Sequence, residues 1–201
     1  MNSSSGAQRR KAVGIAGHTG DADTARHGLT DVDAVVRVAA LRALDRLGVL
    51  RESDIAAGLT DDDPTVRIAA LESAACVSMP PIASLLDDRH PMVVESACWA
   101  LGERTDDSPA VIDALATIAG THDDPLAREA AVAALGAIGD DRGLPAVLKA
   151  TSDKPAIRRR AVISLVAFEG PEVDAAWARA RTDRDRQVRD AVEELLGPEE
   201  E

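Results

Sequence analysis

The 201 residues carry 35 acidic against 23 basic side chains, a formal net charge of −12, and are 45% hydrophobic, enough for a substantial core. Aromatic residues number only two Trp and one Phe, with no Tyr, so Ala, Leu and Val must fill that core. This suits closely packed helices, excludes an aromatic-rich β sandwich, and the acid excess disfavours generic nucleic-acid binding.

In chain order, the opening stretch MNSSSGAQRRKA lacks the apolar run of a secretory signal, and residues 1–6 are expected to be flexible. No later run reaches the roughly 20 apolar residues of a membrane span. Cys76 and Cys98, the only cysteines, fall in Ala-rich helical phrases where a buried free thiol is the common outcome. A cytoplasmic monomer is the expectation.

From residue 8 one phrase recurs. A weak copy, QRRKAVGIAGHTGD (8–21), precedes DVDAVVRVAALRALDRLG (31–48), DDDPTVRIAALESAACVS (61–78) and DRHPMVVESACWALGERT (88–105). HDDPLAREAAVAALGAIG (122–139), SDKPAIRRRAVISLVAFE (152–169) and DRDRQVRDAVEELLG (183–197) follow. Anchored at Ala34, Pro64, Pro91, Pro125, Pro155 and Arg186, the copies stand 30, 27, 34, 30 and 31 residues apart. The Asp before each anchor can accept the free amides of a new helix, and Pro is tolerated in a first turn. Small or apolar residues then recur two, six, ten and thirteen positions past the anchor, one face of a 3.6-residue period. Gly48, Gly139 and Gly170 are expected to stop these helices. Shorter apolar stretches lie between: ESDIAAGL (52–59), PPIASLL (80–86), SPAVIDALATIA (108–119), RGLPAVLKA (142–150) and PEVDAAWARA (171–180). Each unit therefore reads helix, turn, helix.

The phrases DDDPTVRIAAL, HDDPLAREAAVAALG and SDKPAIRRRAV resemble the HEAT repeat family, in its phycobilisome-lyase-like variety. The resemblance implies an all-α, right-handed superhelical solenoid of about six helix-turn-helix repeats. It covers 7–197 as a single repeat domain, leaving 198–201 as an acidic tail.

Candidate sites follow from the register. An Arg three positions past the anchor (Arg37, Arg67, Arg128, Arg158, Arg189) is expected to pair with turn acids Asp31, Asp61, Asp123, Asp153 and Asp183 and with turn carbonyls, locking repeat to repeat. Val94 takes this place in the third unit and interrupts the ladder. The densest basic run, Arg158-Arg159-Arg160, reads as a solvated helix face, as do Arg10 and Lys11.

No catalytic motif emerges: HExxH, a Gly-rich phosphate loop and GxSxG are absent. HEAT-like deoxyhypusine hydroxylases hold iron with His-Glu pairs, whereas the four His here precede Thr19, Gly28, Pro91 and Asp123. His90 and His122, beside Asp87, Asp88, Asp123 and Asp124, read as turn residues and caps. No cofactor or metal is expected. The alternative reading is an enzyme or enzyme subunit, a phycobilin lyase-like protein or a DNA base-excision factor.

The preferred reading is a non-enzymatic scaffold. The resemblance implies that second helices line a concave side, with the outward stripe four, eight and twelve positions past each anchor. There Glu72, Glu95, Trp99, Glu103 and Glu129 are the candidate partner-binding residues. Trp99 would anchor a basic or amphipathic protein or peptide and the acids would steer it. Trp177, in a first helix, is expected to pack.

Overall fold

The computed structural model describes residues 5–77 and 80–197, and every regular element among them is helical. The acidic tail at 198–201 lies outside the described residues. Second-type helices are α1 (Gly6–Thr19), α3 (Ala34–Arg46), α5 (Pro64–Ala74), α6 (Pro91–Arg104), α8 (Pro125–Ile138), α10 (Pro155–Ser164) and α12 (Arg186–Leu196). First-type helices are α2 (Ala22–His27), α4 (Glu52–Leu59), α7 (Pro109–Thr121), α9 (Leu144–Ala150) and α11 (Pro171–Ala180). Compactness divides the chain into two units between Ala97 and Cys98, inside α6.

Local chemistry explains the boundaries. Asp33, Asp63, Asp124 and Asp185 each accept the amide two residues on, at 3.0, 2.8, 2.8 and 2.9 Å, which caps α3, α5, α8 and α12. Pro64, Pro125 and Pro155 sit at the first helical position, where their missing N–H costs nothing. Gly139 ends α8 in the left-handed conformation.

Three local expectations need correction. Ser5 and Gly6, taken as part of a flexible terminus, belong to α1: Ser5 caps it with a reciprocal hydrogen bond to Gln8. Gly170 stops no helix; it stands before α11, while α10 ends at Ser164 in a 3₁₀ turn over Leu165–Ala167. The stretch at 80–86 makes no first helix and leaves only a 3₁₀ turn, Ala83–Asp87. Pro80 and Pro81 lack amide donors, and the 27-residue spacing there is the shortest of the five.

In the first unit, α1, α3 and α5 stack side by side, with α2 and α4 closing hairpins against them. A Cβ placed on Gly58 would stand 2.8 Å from the Ala70 methyl, so this hairpin closes only because one partner has no side chain. In the second unit, α8, α10 and α12 stack likewise, backed by α7, α9 and α11. Ala131, Ala161 and Val192, six past their anchors, are all buried, as are Leu115, Leu135, Ile157 and Leu165. Trp177 packs against Val162, Ala180, Val188 and Val192, and its ring N–H donates to the Val162 carbonyl at 3.3 Å.

The closest approach in the second unit is Gly136 against α10. A Cβ at Gly136 would stand 2.5 Å from the Ser164 Cβ and 2.6 Å from its Oγ, which itself donates to the Val132 carbonyl at 3.1 Å. Gly136→Ala should therefore destabilise by about 1–3 kcal/mol despite the helix propensity of Ala. Gly14→Ala, where nothing lies within 4 Å, should be neutral or stabilising. Thermal melts compare the two; a Gly136→Ala midpoint at or above wild type would rule out the close packing.

Candidate functional site

Two side-chain systems emerge from the register, one internal and one facing solvent. The internal system is an Arg–Asp ladder. In the first unit, Arg9 forks Asp31 (2.6 and 2.9 Å), Arg37 forks Asp61 (2.8 and 2.7 Å) and Arg67 forks Asp88 (2.8 and 2.9 Å). In the second, Arg128 forks Asp153 (2.8 and 3.0 Å) and Arg158 forks Asp183 (2.9 and 2.7 Å). Each fork reaches the turn of the following repeat. Meanwhile Nη1 donates to the carbonyl of the residue's own turn, as from Arg37 to Asp31 and from Arg158 to Asp153, at 2.8 and 2.9 Å. The guanidiniums of Arg37, Arg67, Arg128 and Arg158 thus each tie two turns together.

The acids respond accordingly. Hydrogen bonds from Arg9 hold the Asp31 carboxyl down at about 2. Those from Arg128 and Arg158 hold Asp153 and Asp183 below the ordinary value. At Asp61 and Asp88 burial pushes the other way, but the Arg37 and Arg67 forks, helped by turn amides, keep both lowered.

Among the sequence-nominated members, Asp123 takes no rung; it is exposed, and its carbonyl accepts from Arg128 at 3.2 Å. The acceptor register lies one residue earlier, at His122, whose Nδ1 accepts the Asp124 amide at 3.1 Å as carboxylates do elsewhere. Val94 for Arg and His122 for Asp leave these two register positions without the charge found at the others. Arg189 bonds the Asp183 carbonyl at 2.6 Å. Arg9 and Asp88 were not nominated; the weak first copy and the Asp three residues before the α6 start were their signals.

The solvent-facing system is the stripe four, eight and twelve past each anchor. On the first unit, Glu72 is exposed and paired with Arg42 at 3.1 Å, and Glu95 is half-buried. On the second unit, Trp99 is 44% exposed and Glu103, one turn further along α6, is exposed. Glu129 is half-buried with Arg160 at 3.7 Å. The stripe is thus mixed in charge, with Glu72 and Glu129 both facing guanidiniums. Along the chain the acid excess is concentrated: residues 51–141 hold 18 acidic and five basic side chains.

At the same register positions α10 and α12 leave an open groove of about 460 Å³, floored by Ile163, Ala191 and Leu195 and edged by Arg159, Asp190 and Glu194. Where α6 and α8 carry Gly102 and Gly136 for close approach, the 3₁₀ turn after α10 carries Val166, 57% exposed. Among the described residues no group of three or more His, Cys, Asp and Glu is placed to hold a metal, and no helix is long and apolar enough to cross a membrane.

The family model described as HEAT repeats matches twice, over residues 53–136 and 112–197. No curated protein sequence matches the chain. Among solved structures the chain is similar to YibA of Escherichia coli, with a TM-score of 0.66 at 15% identity over 96% of this chain and 74% of that one. A designed armadillo repeat protein aligns with a TM-score of 0.61 at 15% identity, over 86% and 97% of the two chains. Human deoxyhypusine hydroxylase in complex with glycerol aligns with a TM-score of 0.51 at 18% identity, over 94% and 77%. At these identities the structural likenesses speak for the fold alone. With the family model spanning most of the repeats, the chain belongs to the HEAT-repeat family.

Proposed function

We propose that this chain is a cytoplasmic, non-enzymatic scaffold that holds a basic or amphipathic protein segment on the outward stripe of its second helices. One observation carries the reading: Trp99 stands 44% exposed on that stripe, in a chain with only two Trp, while Trp177 is packed and hydrogen-bonded. An exposed Trp supplies large, rigid contact area and dominates interface energetics. In the second unit Glu103 and Glu129 share its stripe; Glu72 and Glu95 occupy the corresponding stripe of the first. The concentration of acid between 51 and 141 favours a cationic ligand and steers its approach. Arg42 and Arg160 temper this field, so selectivity rests on Glu103 more than on the paired Glu72 and Glu129.

The test is affinity capture from the native cells with wild type, Trp99→Ala and a turn control, Arg184→Ala, followed by titration of the captured partner. Trp99→Ala is expected to weaken binding about 30-fold or more with an unchanged helical circular dichroism spectrum, and Arg184→Ala to bind as wild type. Unchanged affinity in Trp99→Ala would remove the anchor and the reading with it.

A further inference from the structure

In the second unit three second-type helices stand at short spacing. A Cβ on Gly102 of α6 would meet the Ala134 Cα of α8 at 2.9 Å, and one on Gly136 of α8 would meet the Ser164 Cβ of α10 at 2.5 Å. Eight positions past their anchors these helices carry Trp99, Ala133 and Ile163. The α8 surface is therefore low, a methyl group between a large side chain on α6 and another on α10. Past Ile163 the α10 side continues with Val166, 57% exposed. Two interhelix spacings set the α6 and α10 crests about 16–20 Å apart. An α-helix with its side chains is about 10–12 Å across.

We propose that the segment held at Trp99 binds as an α-helix, laid along α8 between Trp99 and Ile163. Its lower face is apolar, its flank beside α6 carries lysine or arginine, and its flank beside α10 carries an acid. This rests on the Trp99 reading above and adds the conformation and the charge layout of the occupant. The width between the crests is the first support. The second is the backbone. An extended segment brings a donor and an acceptor at every residue for the surface to answer. None of the positions four, eight and twelve past the anchors of α6, α8 and α10 is Asn, Gln, Ser or Thr, and the whole chain holds one Asn and two Gln. A helix satisfies its own backbone and asks the surface only for side-chain contacts.

Charge is the third support. Glu103 is exposed on the α6 side and attracts a base. Arg159 is exposed on the α10 side and attracts an acid. Glu129, between them on α8, already faces Arg160 at 3.7 Å and asks less of a ligand. The bound helix is thus charged differently on its two flanks, which sets its direction along α8 as well as its identity.

The probe is a fluorescein-labelled peptide of about 14 residues, near the length at which an isolated helix is marginal. Leucine and alanine form one face, with lysine on one flank and glutamate on the other. Its affinity for the full chain is read by anisotropy in about 0.15 M salt. Two versions differ only on the outer face: α-aminoisobutyrate stiffens the helix in one, and a central proline breaks it in the other. Stiffening is expected to tighten binding about tenfold, and the proline to weaken it about tenfold or more. Ala133→Gln and, at an exposed site, Ala137→Gln should each weaken the stiffened peptide about tenfold with the helical circular dichroism retained. No binding to wild type, equal affinity of the three peptides, or undiminished binding in both alanine variants would each overturn the helical occupant. Trp99→Ala separates this inference from the reading beneath it. Three equally bound peptides that all weaken in Trp99→Ala would leave the anchor standing and remove only the helix. Binding unchanged in Trp99→Ala would remove both.

Discussion

Arg67→Ala should lower stability by about 3–5 kcal/mol, the largest loss expected from any single ion-pair deletion in this chain. The Arg67 and Asp88 side chains are only 7% and 9% exposed, the most enclosed pair in the ladder. Arg67 also donates to the Asp61 and Asp62 carbonyls at 2.7 and 3.1 Å, so its removal strands two turn acceptors as well as a carboxylate. That asymmetry decides the magnitude, because a lost partner costs the full desolvation of the group left behind. Asp88→Asn should cost less, since a neutral amide oxygen can still accept the His90 amide, now at 2.8 Å. Combining it with Arg67→Met should recover part of the loss, a coupling that a double-mutant cycle measures. At this chain length the Arg67→Ala melting point should fall by about 6–20 °C. Arg42→Ala is the contrast: its pair with Glu72 is 57% and 46% exposed, and its loss should stay within about 0.5 kcal/mol. A loss at Arg67 no larger than at Arg42 would mean that the ladder contributes nothing to holding turns together.

The fold was largely legible because its signals are local and repeated. The stretches 52–59 and 171–180 became α4 and α11 nearly residue for residue, since caps, first-turn Pro and helical periodicity act within a few positions. The same rules misread 80–86, where apolar content suggested a helix but two consecutive prolines and a shortened repeat left a single 3₁₀ turn. The ladder was legible on its basic side, where the register is strict. Its acid side was misplaced by one residue at Asp123, because the position two before the Asp124 cap is His122, which carries no carboxylate to mark it. On the solvent stripe, periodicity placed Trp99 correctly in register but could not say whether its ring folds down. Nor could it find the Arg42–Glu72 or Arg160–Glu129 pairs, which join residues about 30 positions apart and exist only once the helices stack.

Acidification should leave stability nearly flat from about pH 8 to 5 and then remove it steeply between about pH 4 and 2. The five rung acids Asp31, Asp61, Asp88, Asp153 and Asp183 all have folded-state values below the ordinary one, Asp31 at about 2. A depressed carboxyl stabilises the fold fully above its unfolded value, near 4, and loses that contribution as pH falls through the folded value. Protonation then costs each Arg its fork while the guanidinium stays charged. Global charge acts in the same direction below the isoelectric point of about 4.8, where neutralised acids leave the 23 bases unbalanced and self-repulsion grows. Salt separates the two contributions: it screens the diffuse repulsion but barely touches half-buried forks. Melting points across pH 2–8, at low and high salt, should therefore keep most of their acid slope when salt is added. Asp31→Asn, deleting the most depressed rung acid, should start lower at neutral pH and fall less steeply. A wild-type curve that salt flattens, or an Asp31→Asn curve parallel to wild type, would assign acid lability to net charge and leave the ladder without a part in it.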